Sequence, residues 1–195
     1  MELNQSKTLQ NLMRAFSGET QAWARYTFAA QDARAQGFPV LERLFRYTAD
    51  QEKEHAEILW GLLKTGTVPE VPSPGDYPVD LQGDALSLLR ASEKHEQAEA
   101  AEIYPAFAET AEREGFTDIA LRFRQLAAIE RLHGDRFQRF ARALEQGGLL
   151  HSDAPVQWIC LNCGHVVTGT EPPVSCPVCA HEQGYFVRLE LSPFQ

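Results

Sequence analysis

Two stretches of the chain repeat one ligand grammar. Glu52-x-x-His55 and Glu130-x-x-His133 each set a carboxylate and an imidazole three residues apart, which on a helix brings both to one face. Both side-chain types bind divalent metals. Each motif follows another glutamate at almost the same interval, 33 residues from Glu19 to Glu52 and 34 from Glu96 to Glu130. With 19 Glu and 6 His in the chain, a stray Glu-x-x-His arises by chance roughly 0.6 times. One motif would therefore say little, but two with matching upstream glutamates exceed chance. Glu99 adds a further carboxylate one turn beyond Glu96. Four cysteines form a second cluster: Cys160-x-x-Cys163 and Cys176-x-x-Cys179, with twelve residues between the pairs, have the spacing of a tetrahedral thiolate metal site. That spacing does not choose between iron and zinc.

The elements that must position these residues are helices. Residues 1–146 are rich in Ala, Leu, Glu, Gln and Arg and are broken at three places. The breaks are Gly37-Phe38-Pro39, the stretch Thr65 to Val79 with four prolines, and Gly115-Phe116-Thr117, where Thr117 is the expected cap. Helices are expected over about 5–36, 39–64, 81–114 and 117–145. Short connections make two antiparallel hairpins, and the proline-rich segment is long enough to cross the bundle. Pro105 lies inside the third helix, removes the bond to the Ala101 carbonyl and predicts a kink. After Gly147-Gly148 the helix formers give way to Pro, Cys, Gly, Val and Thr. The expected organisation is a four-helix unit over 1–146, a linker over 147–155 and a small cysteine domain over 156–195.

Alternating steps of three and four residues locate the inward face of each helix. The first seam reads Leu9, Leu12, Phe16, Glu19, Trp23, Tyr26 and Ala30; the second Leu41, Leu44 or Phe45, Thr48, Glu52, His55, Leu59 and Leu62. The third reads Ala85, Leu88 or Leu89, Ser92, Glu96, Glu99, Ile103 and Ala106; the fourth Ile119, Phe123, Leu126, Glu130, His133, Phe137, Phe140 and Leu144. Each is apolar at its ends and acidic in the middle. A buried, uncompensated carboxylate costs several kcal/mol, and no Lys or Arg occupies the central seam positions. Five glutamates carry −5, and two divalent ions would supply +4, so a dinuclear metal site is the economical answer. Tyr26 and Tyr104 lie near this level and could donate hydrogen bonds to ligating carboxylates.

Composition narrows the partners. With 18 Lys+Arg against 27 Asp+Glu, the net charge of −9 disfavours nucleic acid and anionic lipid. No apolar run is long enough to cross a bilayer. The first five residues lack the basic and apolar regions of a signal peptide, so a cytoplasmic location is expected. Thiols there stay reduced, which favours metal over disulfide for the cysteines.

The glutamate and Glu-x-x-His pattern matches the ferritin-like di-iron arrangement, a known template for four-helix bundles. Together with Tyr26, the run Ala49-Asp-Gln-Glu-Lys-Glu-His55, Glu96-x-x-Glu99 followed by Tyr104-Pro105-Ala-Phe107-Ala108, and the two cysteine pairs, it makes the whole chain resemble a rubrerythrin. The fold so implied is mainly α: a ferritin-like four-helix bundle with one long crossover, followed by a small rubredoxin-like metal-binding β domain. One departure is Ala180, where rubredoxins usually have Gly after the last cysteine, and a less regular second knuckle is expected there.

By this resemblance the cofactors are two non-haem irons and one iron on four cysteines. Glu52 and Glu130 would bridge the pair, Glu19 and Glu96 would be terminal ligands, and His133 would complete the second iron. Glu99 and His55 would share the first iron according to redox state, with Tyr26 and Tyr104 in support. The implied activity is reduction of hydrogen peroxide to water in protection against oxidative stress. Electrons would come from an upstream rubredoxin or NAD(P)H-dependent reductase through the cysteine-bound iron. A ferroxidase and a non-catalytic scaffold with a zinc ribbon are the rival readings. The roughly ten residues from Gly147 to Val156 reach at most about 35 Å, less than the fourth helix. A homodimer or higher homo-oligomer, in which one chain's cysteine domain serves the other's iron pair, is therefore expected.

Overall fold

The computed structural model of the chain describes residues 2–80 and 83–192. Five α-helical segments lead into a three-stranded sheet. Ser6 caps α1 (Lys7–Ala35) by accepting from the Leu9 N–H at 3.1 Å. Gly37, at φ +84°, turns the chain into α2 (Pro39–Leu63), which opens on the proline whose missing N–H costs nothing in the first turn. The proline-rich crossover runs without helix or strand to Asp84, whose carboxylate caps α3 (Ala85–Ala98) through the Ser87 N–H at 2.8 Å. That cap starts the third helix at residue 85 rather than 81; residues 81 and 82 lie outside the described residues. Α π-helical turn, Glu99–Ile103, joins α3 to α4 (Tyr104–Glu114), and α5 (Thr117–Glu145) returns antiparallel. Thr117 is the first helical residue of α5, and Phe116, not Thr117, holds the cap position.

The π turn corrects the expected third seam. It comes just before Pro105, at the place where the proline lacks an N–H to continue the ladder. The wider turn inserts one residue, so the inward face past Glu96 runs through Ala100, Tyr104, Phe107, Ala108 and Ala111. Ile103 and Ala106, expected inside, are exposed. In α1, Trp23 is 41% exposed and Ala22 takes the inward place. Ala15, Ala22, Ala29, Ala30 and Ala33 are all buried, and small side chains on that face let α1 lie close to α2. Leu63 rather than Leu62 is buried at the end of α2.

The helices enclose two apolar clusters. One contains Tyr26, Leu41, Phe45, Leu88, Phe137 and Phe140; the other contains Leu12, Leu59, Tyr104, Phe107, Phe123 and Leu126. The acidic middle of the seams lies between them in sequence along α1, α2, α5 and the joined pair α3–α4.

The C-terminal unit is a sheet of order β2-β1-β3, with β1 (Val156–Cys160) antiparallel to both β2 (Val166–Gly169) and β3 (Phe186–Arg188). Its own core is small: Trp158, Cys160, Cys176 and Phe186. The unit sits on the α1–α2 turn of the same chain. Arg43 donates to the Leu161 carbonyl, Arg34 and Arg43 lie over the Tyr185 ring at 5.2 and 5.7 Å, and Gly184 abuts Pro39. A Cβ at Gly184 would meet Pro39 Cδ at 2.8 Å, so only glycine allows this approach. Leu149 and Val187 join the neighbouring bundle cluster.

Candidate metal centres

Between the two apolar clusters the helices bring six of the predicted residues together. Glu19 comes from α1, Glu52 and His55 from α2, Glu96 from α3, and Glu130 and His133 from α5. All six are buried. They form two groups of four, Glu19, Glu52, His55 and Glu130, and Glu52, Glu96, Glu130 and His133. Within each group one donor atom per residue lies within 4.8 Å of the others.

The two groups share Glu52 and Glu130, and the sharing is symmetric. Glu52 turns Oε2 to His55 Nδ1 at 3.3 Å and Oε1 to His133 Nδ1 at 2.8 Å. Glu130 turns Oε1 to His55 at 3.1 Å and Oε2 to His133 at 2.9 Å. Glu19 approaches only His55, at 3.6 Å, and Glu96 only His133, at 3.5 Å. The imidazole rings are nearly parallel, 13° apart, with centroids separated by 5.6 Å.

Charge in this layer is unresolved by the protein's own groups. Both oxygens of Glu52 and of Glu130, one each of Glu19 and Glu96, and Nδ1 of both histidines are shielded from water and have only the other members of the cluster within reach. So many buried donor atoms converging on two points fit a pair of cations, since unpaired buried charge is costly. Without metal the site holds protons instead. Burial, then the charge of Glu52, pushes Glu96 up to about 8. Burial and Glu130 likewise raise Glu19 well above the carboxylate range. Burial alone would depress both imidazoles, but hydrogen bonds to the surrounding carboxylates, Glu130 foremost, raise both His55 and His133. Burial would also raise Glu52, but the hydrogen bond and charge of His133 hold it well below the usual range.

The two tyrosines do what their positions suggested. Tyr26 donates to Glu96 Oε1 and Tyr104 to Glu19 Oε1, so each carboxylate approached by one histidine alone is held by a phenol. Burial, then the bonded carboxylate's charge, raises both phenols, which keeps them protonated donors. Glu99 stands apart from both groups of four and faces a cavity beside the cluster with Glu19 and Tyr104.

Two contacts were not anticipated from the sequence. Gln51 Oε1 lies 3.1 Å from His133 Nε2 and accepts from Arg136 Nη1 at 3.1 Å. An amide oxygen there requires N–H on Nε2 and leaves Nδ1 free toward the carboxylates. The available signals were Gln51 beside Glu52, and an arginine three residues after His133 on a helix whose neighbouring seam is apolar.

At the cysteines, Cys160 Sγ is 3.7 Å from Cys179 Sγ, and Cys163 Sγ is 3.7 Å from Cys176 Sγ. These are not disulfides, which need about 2.05 Å. Four sulfurs at about 2.3 Å from a central metal stand about 3.8 Å apart along the edges of a tetrahedron. The two knuckles have the same backbone pattern. Cys160 N–H donates to the His165 carbonyl and Gly164 N–H to Cys160; Cys176 N–H donates to His181 and Ala180 N–H to Cys176, all between 2.8 and 2.9 Å. The expected irregularity at Ala180 is therefore absent; the alanine takes the left-handed conformation, φ +59°, that Gly164 takes at +77°. The His181 backbone N–H helps bring Cys179 down to about 6, which favours a thiolate.

Residues 10–141 match the family described as Rubrerythrin, and residues 158–187 match the Rubrerythrin, rubredoxin-like domain. The chain belongs to the rubrerythrin family. It is 40% identical to a rubrerythrin of Clostridium perfringens over 185 residues, which cover 94% of this chain and 95% of that one. Against a rubrerythrin of Porphyromonas gingivalis it is 41% identical over 181 residues, 93% of this chain and 89% of the other. Among solved structures, nigerythrin in a fully reduced, all-ferrous state superposes with a TM-score of 0.63 at 28% identity, covering 93% of this chain and 86% of that one. The architecture is thus the expected ferritin-like bundle with a rubredoxin-like unit. The cofactors of this rubrerythrin fold are a di-iron pair at the carboxylate–histidine cluster and an iron at the four cysteines. No described helix is long and apolar enough to cross a membrane.

Proposed function

We propose that the chain is a non-haem di-iron peroxidase that reduces hydrogen peroxide to water, with its electrons relayed through the cysteine-bound iron. The observation that carries this reading is the pairing, on one chain, of a buried cluster of converging donor atoms and a four-sulfur site of tetrahedral spacing. A storage ferroxidase needs no attached one-electron relay. Four thiolates leave a metal no open position, so the cysteine site suits electron transfer and cannot itself take peroxide.

In this reading Glu52 and Glu130, the residues shared by both groups of four, would hold both irons. Glu19 and His55 complete one iron's ligands, and Glu96 and His133 the other's. Glu99, the carboxylate beside this group at the cavity wall, would be available to hold the iron at that end in place of His55, since the harder Fe(III) prefers anionic oxygen. Reduction of peroxide takes two electrons, which the iron pair supplies when bound. The protein's own part is to aim and to protonate. Tyr26 and Tyr104 fix Glu96 and Glu19, Gln51 fixes the His133 tautomer, and Tyr104 and Glu99 present proton-bearing groups at the cavity wall.

Residues 1–146, 147–155 and 156–195 serve as bundle, connection and relay. Pro39, where the relay unit sits, precedes Glu52 by 13 residues of helix, about 20 Å of rise. That length favours delivery of electrons across a homodimer, from one chain's relay to the other's iron pair, fed by a rubredoxin or an NAD(P)H-dependent reductase.

The test is anaerobic. Protein purified without added metal should be red when oxidised and hold three irons. After reduction, one hydrogen peroxide should oxidise each di-iron pair, with water as the only product. Zinc at the cysteines would favour the scaffold reading. Iron accumulating well beyond three per chain, with no peroxide consumed, would favour the ferroxidase.

A further inference from the structure

Beside the cluster, between α1, the crossover and the α3–α4 junction, lies a cavity of about 520 Å³. Its inner end is formed by Glu19, Glu99 and Tyr104, and its walls include Ala98, Ile103 and Phe107. The crossover lines its outer side, tied to α3 by Asp80 Oδ1 at 2.8 Å from His95 Nε2.

The cavity does not match hydrogen peroxide. Water occupies about 30 Å³ in the liquid, so a molecule with two oxygens fills only a small part of this space. Most of the accessible wall surface is alkyl and aromatic, although charged side chains such as Arg14, Asp76 and Lys94 are among the lining residues. Volume and lining instead fall in the range of pockets that bury an apolar group with a few polar anchors. An anchor is present: Arg25 lines the cavity and brings a positive charge to its wall.

We propose that this cavity receives the organic group of an alkyl or aryl hydroperoxide, and that the chain reduces such hydroperoxides as well as hydrogen peroxide. The inference rests on the peroxidase reading and extends its substrate class. The balance is ROOH + 2 e⁻ + 2 H⁺ → ROH + H₂O. The O–O bond breaks, the terminal oxygen leaves as water and the oxygen on carbon remains as the alcohol. The two electrons come from the same one-electron donor, through the cysteine-bound iron, that serves hydrogen peroxide. The positive charge of Arg25 at the wall favours the polar end of the substrate or product while the organic group displaces water from the apolar walls.

Gly18 supplies the test. It lines the cavity, and a Cβ there would meet no atom within 4 Å, so Gly18→Leu starts its side chain in open space. Metal-loaded, reduced protein is mixed with cumene hydroperoxide or hydrogen peroxide. The unaltered chain should reduce both, yielding 2-phenyl-2-propanol from the first. Gly18→Leu should lower kcat/KM for cumene hydroperoxide relative to hydrogen peroxide by about tenfold or more, as losing burial of a phenyl-sized group implies. Because Gly18 adjoins Glu19, Ala98→Leu on the opposite helix serves as a second filler with the same expected ratio. Calorimetry on the oxidised protein gives a readout independent of turnover: 2-phenyl-2-propanol should bind to the unaltered chain and not to either filled variant. Reduction of hydrogen peroxide with none of cumene hydroperoxide overturns this inference and leaves the peroxidase reading standing. Reduction of neither peroxide overturns the peroxidase reading. Reduction of both with unchanged ratios and unchanged alcohol binding in both filled variants shows that the organic group sits elsewhere, and overturns the assignment.

Discussion

The carboxylate–histidine layer draws six side chains from four helical segments spread over residues 19 to 133, whereas the cysteine site takes four from two similar turns within residues 160 to 179. The first is set by long-range packing. Apolar clusters with Phe45 and Phe137 on one side and Phe107 and Phe123 on the other fix the helices that aim the glutamates. The second is set by local backbone hydrogen bonds, and its core is little more than Trp158, Phe186 and two of the cysteines themselves. A site of the first kind is imposed on a fold that has other reasons to exist. A site of the second kind is much of the reason its fold exists.

Metal removal should separate the two most sharply. Chelation under reducing conditions is expected to leave the helical content of the bundle largely intact while the cysteine unit unfolds. Tetrahedral metal sites contribute on the order of 10 kcal/mol to small domains of this kind. The indole N–H of Trp158, which donates to the Gly169 carbonyl at 2.9 Å, is a specific reporter by nuclear magnetic resonance. Loss of helix with that resonance unmoved would reverse the comparison.

The converse operation acts on the bundle alone. Replacing both shared carboxylates, Glu52→Ala with Glu130→Ala, should lower iron from three per chain to one and leave the red cysteine centre unchanged. The fold should survive, because removing two buried acids relieves repulsion among those remaining. Two irons retained in the bundle of that variant would show that neither residue is a bridge.

A smaller effect tells the two sites apart by pH. In the metal-free bundle Glu96 sits at about 8 against an ordinary 4.5, and both histidines are raised above 6.5. The folded state therefore binds more protons than the unfolded chain between about pH 5 and 8, and stability must fall as pH rises through that window. A decrease of a few degrees in Tm from pH 5.5 to 8 is expected for the bundle stripped of metal. The loaded bundle should show the opposite trend, since its ligands bind as deprotonated groups and loading releases protons, at least one from each imidazole. A metal-free Tm that rises with pH would mean that the histidines are neutral and the acids already ionised.

The same contrast explains what the sequence disclosed. Glu19, Glu52, His55, Glu96, Glu130 and His133 were legible because a helix converts spacing into a face without further information. The cysteine pairs were legible because their turns are local. The third seam failed past Glu96 because a π turn changes the residue count per turn, and nothing in helical periodicity announces it beyond the proline at 105. Trp23 was misplaced because hydrophobic size suggested burial, whereas close α1–α2 packing selects Ala22. Gln51 and Arg136 were overlooked because Gln51 reaches His133, and Arg136 reaches Gln51, across the contact between α2 and α5, which no single-helix pattern encodes.

The smallest effect concerns the left-handed position of the two matching turns of the cysteine site, glycine in one and alanine in the other. Gly164 and Ala180 occupy equivalent places with φ of +77° and +59°, and each N–H closes the turn onto the first cysteine of its pair. For a residue with a Cβ the left-handed conformation costs about 1–2 kcal/mol, while glycine gives back part of that through its greater freedom in the unfolded chain. Ala180→Gly should therefore stabilise the cysteine unit by about 0.5–1 kcal/mol, and Gly164→Ala should destabilise it by a similar amount. A Cβ at Gly164 meets nothing within 4 Å, so the loss there is conformational and not steric. The measurement is the temperature at which the visible thiolate absorption of the iron-loaded protein disappears, compared among the two variants and the unaltered chain. Opposite shifts of similar size would show that the turns are equivalent and that Ala180 is tolerated at a conformational cost. A fall in both variants would mean that the Ala180 methyl makes a contact the left-handed turn needs, and that the two halves of the site are not interchangeable.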